Sequence, residues 1–111
     1  LNLMEKQLTE LRRKSGIPYN LVGLPMPHPI FDADGQRLPA TYANFLITPR
    51  SVLLPVYGQP QNDELARLIM QSLFPERTIH CINCTTLIQQ HGSLHCMTMQ
   101  VPRGVIVNLN N

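Results

Sequence analysis

Charge is scarce in this chain. Lysine and arginine number 9, aspartate and glutamate 7, leaving a net charge of +2. So small an excess excludes an electrostatic case for nucleic-acid binding. The single basic cluster, Arg12-Arg13-Lys14, falls where a helix should end and cations suit its dipole. No apolar run approaches the ~20 residues of a membrane span, and no signal-peptide pattern opens the sequence, so no membrane partner is expected. Cysteines are three, an odd number without the density of a secreted disulfide scaffold, which points to the reducing cytoplasm. At 111 residues the chain is one domain or part of one. Leu1 already lies inside a helical pattern, as expected of a fragment of a longer protein.

The period of the apolar residues predicts an α/β (α+β) chain. Leu1, Met4, Leu8 and Leu11 recur at 3-4-3 spacing, so Leu1 to Ser15 reads as a packed amphipathic helix stopped by Gly16. Tyr19 to Leu24 reads as a short buried strand. Pro25 to Pro39 is proline-rich and closes on an Asp34-Gly35 turn, so it should be a loop, placed as the wall of a site. Asp32-x-Asp34-Gly35 lacks the further acids and closing glutamate of a calcium loop. Tyr42 to Ile47 and Val52 to Val56 should form an antiparallel hairpin across Pro49-Arg50-Ser51, with Pro55 demanding an edge or a bulge. Asn62 should cap a helix from Asp63 to Phe74 that buries Leu65, Leu68, Ile69, Ser72 and Leu73. Thr78 to Ile82 supplies a third strand. Leu94 to Gln100 alternates as a fourth, with Leu94, Cys96 and Thr98 on one face and His95, Met97 and Met99 on the other.

The functional signal concentrates in Gln89 to Gln100. His91-Gly92-Ser93 is turn chemistry, and Gly92 lets the backbone approach a ligand closely. Cys96 follows at the mouth of a strand. Taken alone, it could equally be a small buried hydrophobe. Cys81-x-x-Cys84 with His95 and Cys96 could in principle hold zinc, yet consecutive strand residues face opposite ways and neither cysteine precedes a glycine. Cys81 is then expected in the core and Cys84 as a loop thiol, with no metal and no cofactor.

Gly92-Ser93-Leu94-His95-Cys96-Met97-Thr98 resembles the cysteine loop of the agmatine deiminase and bacterial peptidyl-arginine deiminase family. Leu38-Pro39-Ala40-Thr41-Tyr42-Ala43-Asn44-Phe45 resembles that family's LPASYANF segment, and Tyr57-Gly58-Gln59-Pro60 with the following helix keeps its order. The likeness runs from about Leu24 to Pro102. It implies a pentein fold, in which five ββαβ units surround a central channel. On that frame 1–24 closes one unit, 25–39 is the loop, 40–102 is the last unit with the cysteine strand, and 103–111 is a tail.

The resemblance also implies Cys96 as the nucleophile, with Gly92, Ser93 and Asn44 as substrate-binding residues and a small guanidine, agmatine foremost, as substrate. A resonance-stabilised guanidinium benefits from a strong nucleophile, and a thiolate is one. The loop departs from the commoner Gly-Gly-Gly-Asn form, since His91 stands at a glycine position and Ser93 replaces asparagine. His95 would project away from Cys96 on a strand, and His80 and His91 do not match the family's general acid and base. None of the seven acids matches a guanidinium-binding carboxylate, so the chain alone is expected to be inactive. A ring cut open exposes sheet edges and an apolar flank, which predicts a homo-oligomer.

Overall fold

A computed structural model describes residues 1–105; the tail 103–111 lies outside the described residues from 106 onward. The elements are α1 (Asn2–Glu10), β1 (Leu46–Ile47), β2 (Ser51–Val56), α2 (Pro60–Leu73) and β3 (Thr78–Asn83), followed by 3-10 turns at Leu87–Gln90 and His95–Met97. The sheet runs β1-β2-β3. β1 pairs antiparallel with β2, and β2 pairs parallel with β3 from Ser51↔Thr78 to Val56↔Asn83. The ββαβ order expected from the sequence is therefore present, in an α+β chain.

Pro55 lies in the middle strand of that order, yet it removes no ladder bond. The Arg50 carbonyl accepts from Thr78 N–H and the Val56 carbonyl from Cys84 N–H, so alternate residues from Arg50 to Val56 bond towards β3. Pro55 faces the other way, where β1 pairs only as far as Leu53. The position is a local edge, as proline requires.

The helix α2 begins earlier than Asn62 would place it. Gln59 is the N-cap and Pro60 the first helical residue, where a missing N–H costs nothing. Asp63 reaches back, accepting Gln59 N–H at 2.9 Å, which does the work of a capping box. Asn62 instead donates to the Gln59 side chain at 3.2 Å. The buried stripe is also rotated. Ala66 and Met70 are sealed against the sheet, whereas Leu65, Leu68 and Leu73 are exposed. The small Ala66 lets the helix sit close to the strands, and that approach turns the leucines outward.

Three other expectations fail. The first helix stops at Glu10 and buries no residue, so it is not packed among the described residues. Gly16, at φ +84°, belongs instead to a small turn closed by Arg12↔Pro18 pairing. Tyr19 to Leu24 makes no strand and is mostly exposed. Tyr42 to Phe45 leaves the sheet because the Thr41 hydroxyl takes Ala43 N–H at 3.2 Å, a side-chain turn that outcompetes the ladder.

The core gathers Leu38, Tyr42, Val52, Leu54, Tyr57, Ala66, Met70, Cys84, Ile88 and Leu94. Each large apolar side chain there contributes about 1.5–3 kcal/mol by leaving water. The Pro25–Pro39 segment is indeed a loop. Leu24 and Ile30 pack on the core, and the backbone of His28 is clamped by Gln59, which accepts its N–H at 2.7 Å and donates to its carbonyl at 3.0 Å. Its turn is held by Asp32 Oδ1, which takes the N–H groups of Asp34 and Gln36.

Candidate active site

Cys96 does not stand on a strand. Leu94 is helical, His95–Met97 is a single 3-10 turn, and the chain becomes extended only at Thr98. The alternation of Leu94, Cys96 and Thr98 against His95, Met97 and Met99 therefore has no pleat to express it. Leu94 is buried in the core, while Met97 and Met99 are exposed. A strand needs a backbone partner, and here the partner is a side chain. Asn44 Oδ1 accepts His95 N–H at 2.6 Å and Cys96 N–H at 3.2 Å, while the Asn44 carbonyl takes a second share of His95 N–H at 3.2 Å.

The same Asn44 amide donates Nδ2–H to Cys96 Sγ at 3.1 Å. The sulfur is exposed to solvent. The hydrogen bond from the Asn44 side chain, with the neighbouring Ser93 and Cys96 N–H groups, favours the thiolate and holds this thiol below its usual range. The other two cysteines differ. Cys84 is buried, reversing the expectation of a loop thiol, and burial pushes it up. Cys81, expected in the core, is exposed on β3. Among the described residues no three histidine, cysteine or acidic side chains converge on a point that could hold a metal.

Beneath the sulfur runs a chain of hydroxyls. Tyr57 donates its one phenolic hydrogen to the Thr41 carbonyl at 2.8 Å, so in the 2.8 Å contact between Tyr57 and Ser93 it is the serine that donates. Ser93 is fully buried. Expected to meet substrate, it turns its hydroxyl into the core, and its backbone N–H lies on the side of the sulfur. The chain continues to α2, because Asp63 Oδ1 accepts Tyr57 N–H at 3.2 Å and the Tyr42 hydroxyl at 2.5 Å. The two tyrosine rings meet tilted, with centroids 5.6 Å apart. Burial pushes both phenols up, Tyr42 further because the Asp63 carboxylate faces it. In the sequence Tyr42 and Tyr57 stand out only as letters of the two family-like motifs, with no task of their own. Asp63, expected only as the first residue of the helix, stands one turn into it behind a proline, which is a capping signal.

Two residues shape the loop itself. His91 holds φ +70°, a left-handed conformation worth about 1–2 kcal/mol of strain for any residue with a Cβ. Gly92 is needed for space. A Cβ there would lie 2.9 Å from Gln90 Nε2, 3.1 Å from Cys96 Cβ and 3.6 Å from Cys96 Sγ. The structure thus brings Asn44, Gly92, Ser93 and Cys96 together. Among the described residues no histidine or carboxylate hydrogen-bonds to the sulfur.

A ββαβ unit presenting an exposed, thiolate-favouring cysteine from the loop that follows it is part of a pentein. The chain belongs to the Porphyromonas-type peptidyl-arginine deiminase family, whose model matches residues 1–102. A Marinomonas sp. protein named "Putative agmatine deiminase" is 34% identical over 113 residues, covering 87% of this chain and 30% of that protein. Among solved structures, one from Porphyromonas gingivalis titled "Putative Arginine Deiminase" is 52% identical with a TM-score of 0.86, covering 93% of this chain and 30% of its own. A cysteine-to-serine variant of the C. jejuni agmatine deiminase with substrate bound is 32% identical with a TM-score of 0.72, over 86% and 26% of the two chains. The chain therefore spans about 30% or less of these relatives.

Proposed function

We propose that this chain supplies the nucleophile-bearing part of a guanidine-hydrolysing deiminase, acting on agmatine to give N-carbamoylputrescine and ammonia. The observation that carries the reading is the exposed Cys96 sulfur, which accepts Asn44 Nδ2–H at 3.1 Å in surroundings that favour its ionised form. The thiolate attacks the guanidinium carbon to give a tetrahedral adduct. One nitrogen takes a proton and leaves as ammonia, and an S-linked amidino group remains on Cys96. Water then adds to that carbon, and the C–S bond breaks to release the ureido product and the thiolate. The proton for ammonia and the base for water come from outside the hydrogen-bonded set around the sulfur, and for that reason the chain alone is inactive.

Asn44 and Ser93 act in this scheme by positioning. The first fixes the turn and the sulfur together. The second ties the loop through Tyr57 to Asp63 and the start of α2. No helix among the described residues is long and apolar enough to cross a membrane.

Arginine or peptidyl-arginine is the second substrate reading, favoured by the likeness to the Porphyromonas-type peptidyl-arginine deiminases and to the P. gingivalis putative arginine deiminase. Full-length protein assayed on agmatine, arginine and an arginine-containing peptide separates the two by kcat/KM. Cys96→Ala should abolish turnover on whichever is used. Residual turnover at the wild-type rate would end the assignment of Cys96.

A further inference from the structure

Gln90 closes the turn Leu87–Gln90, and its side chain comes back over the cysteine loop. Its Nε2 and the Cys96 sulfur lie 2.9 and 3.6 Å from one and the same point, the place where Gly92 would carry a Cβ. Their separation cannot exceed the sum of those distances. The position left empty at Gly92 is close to both the amide and the sulfur, and His91 in its left-handed conformation joins the two halves of the loop. Among the described residues, the groups that favour the thiolate at Sγ are donors: Asn44 Nδ2–H, hydrogen-bonded to it at 3.1 Å, with the Ser93 and Cys96 N–H groups beside it. Such a set favours an anion on sulfur but offers nothing to the N–H groups of a cation in front of it. Within this chain Gln90 carries an acceptor close to the sulfur, since a half-turn of its terminal torsion exchanges Nε2 for Oε1.

We propose that Gln90 is a substrate-contacting residue. Its Oε1 accepts a hydrogen bond from a guanidinium N–H of the group seated against Cys96. A planar C–N₃ group with its carbon in attacking range of sulfur, about 3–3.5 Å, extends an N–H by one bond length plus a hydrogen bond, which is the reach the two distances allow. The contact selects a flat, N–H-bearing cation over a neutral electrophile of similar size. This inference rests on the deiminase reading and names a residue of its substrate site.

Two alkylating agents test it on the full-length protein: 2-chloroacetamidine, a planar cation with N–H donors, and iodoacetamide, which is neutral. The wild type should prefer the amidine at Cys96 over the preference shown by a free thiol. Gln90→Ala should lower the ratio of amidine to iodoacetamide rates about tenfold, the worth of one hydrogen bond to a charged group. The iodoacetamide rate itself should be retained. Gln90→Glu, which adds a charge to the acceptor, should raise the ratio. An unchanged ratio in Gln90→Ala, or an equal fall in both rates, would overturn the proposal, the latter by showing that Gln90 only supports the loop. A wild type with no preference for the amidine would instead refute the deiminase reading on which the proposal stands.

Discussion

Replacing Asn44 separates two jobs that one side chain performs. In Asn44→Ala the turn loses the Oδ1 acceptor, but His95 N–H keeps the Asn44 backbone carbonyl at 3.2 Å. Only Cys96 N–H loses its oxygen, and solvent reaches this turn, so the stability cost should be about 0.5–1.5 kcal/mol. Sγ loses its side-chain donor and keeps the Ser93 and Cys96 N–H groups, so its ionisation should move upward part of the way to an ordinary thiol. Asn44→Asp is the sharper variant. It keeps an acceptor for both N–H groups, yet places a carboxylate where the donor was, and like charge opposes the thiolate. The assay is iodoacetamide alkylation of Cys96 against pH. The midpoint should be lowest in the wild type, higher in Asn44→Ala and highest in Asn44→Asp. A thiol depressed in the folded state binds fewer protons than in the unfolded chain. Its contribution is fully present above the unfolded thiol's pKa and is lost as pH falls through the folded value. That pH dependence should vanish or reverse in Asn44→Asp. Three superimposable alkylation profiles would refute the claim that Asn44 tunes the sulfur.

Further outcomes follow from the loop's other supports. His91→Gly relieves a left-handed Cβ and should stabilise the protein, by up to about 1 kcal/mol after the entropy glycine adds to the unfolded chain, read as a rise in Tm. Tyr57→Phe leaves the buried Ser93 hydroxyl without its acceptor and should cost about 1–3 kcal/mol in denaturant unfolding. Tyr42 titrates above the ordinary tyrosine range because it is buried against Asp63, so its contribution is complete below pH ~10 and declines as pH rises further. Tyr42→Phe should flatten that alkaline limb of the stability profile. Met70→Ala should cost about 2–5 kcal/mol, because that side chain is sealed between α2 and the sheet.

The sheet was readable because its signals are local. Pro49-Arg50-Ser51 lies between two apolar runs, and a helix of fitting length precedes Thr78. The rotated stripe of α2 was not readable, since leucines at helical spacing look more apolar than the Ala66 and Met70 that the sheet selects. The cysteine segment misled for a related reason. Period-2 alternation from Leu94 to Gln100 describes side chains only, while the backbone N–H groups of His95 and Cys96 go to Asn44, some 50 residues earlier in the chain. No local window contains that pairing. It was accessible only through the resemblance, which quoted Asn44 and Cys96 as parts of two separate motifs. Ser93 shows the opposite limit: its place in the motif marks it, but only the packing of Tyr57 shows that its hydroxyl lies buried beneath the cysteine loop.

The most direct measurement is an acid quench of full-length protein during turnover of agmatine, with mass spectrometry of the peptide that contains Cys96. The account predicts a transient adduct on that cysteine equal in mass to agmatine less ammonia, absent in Cys96→Ala. Full turnover with no adduct on Cys96 at any quench time, together with an active Cys96→Ala, would contradict it.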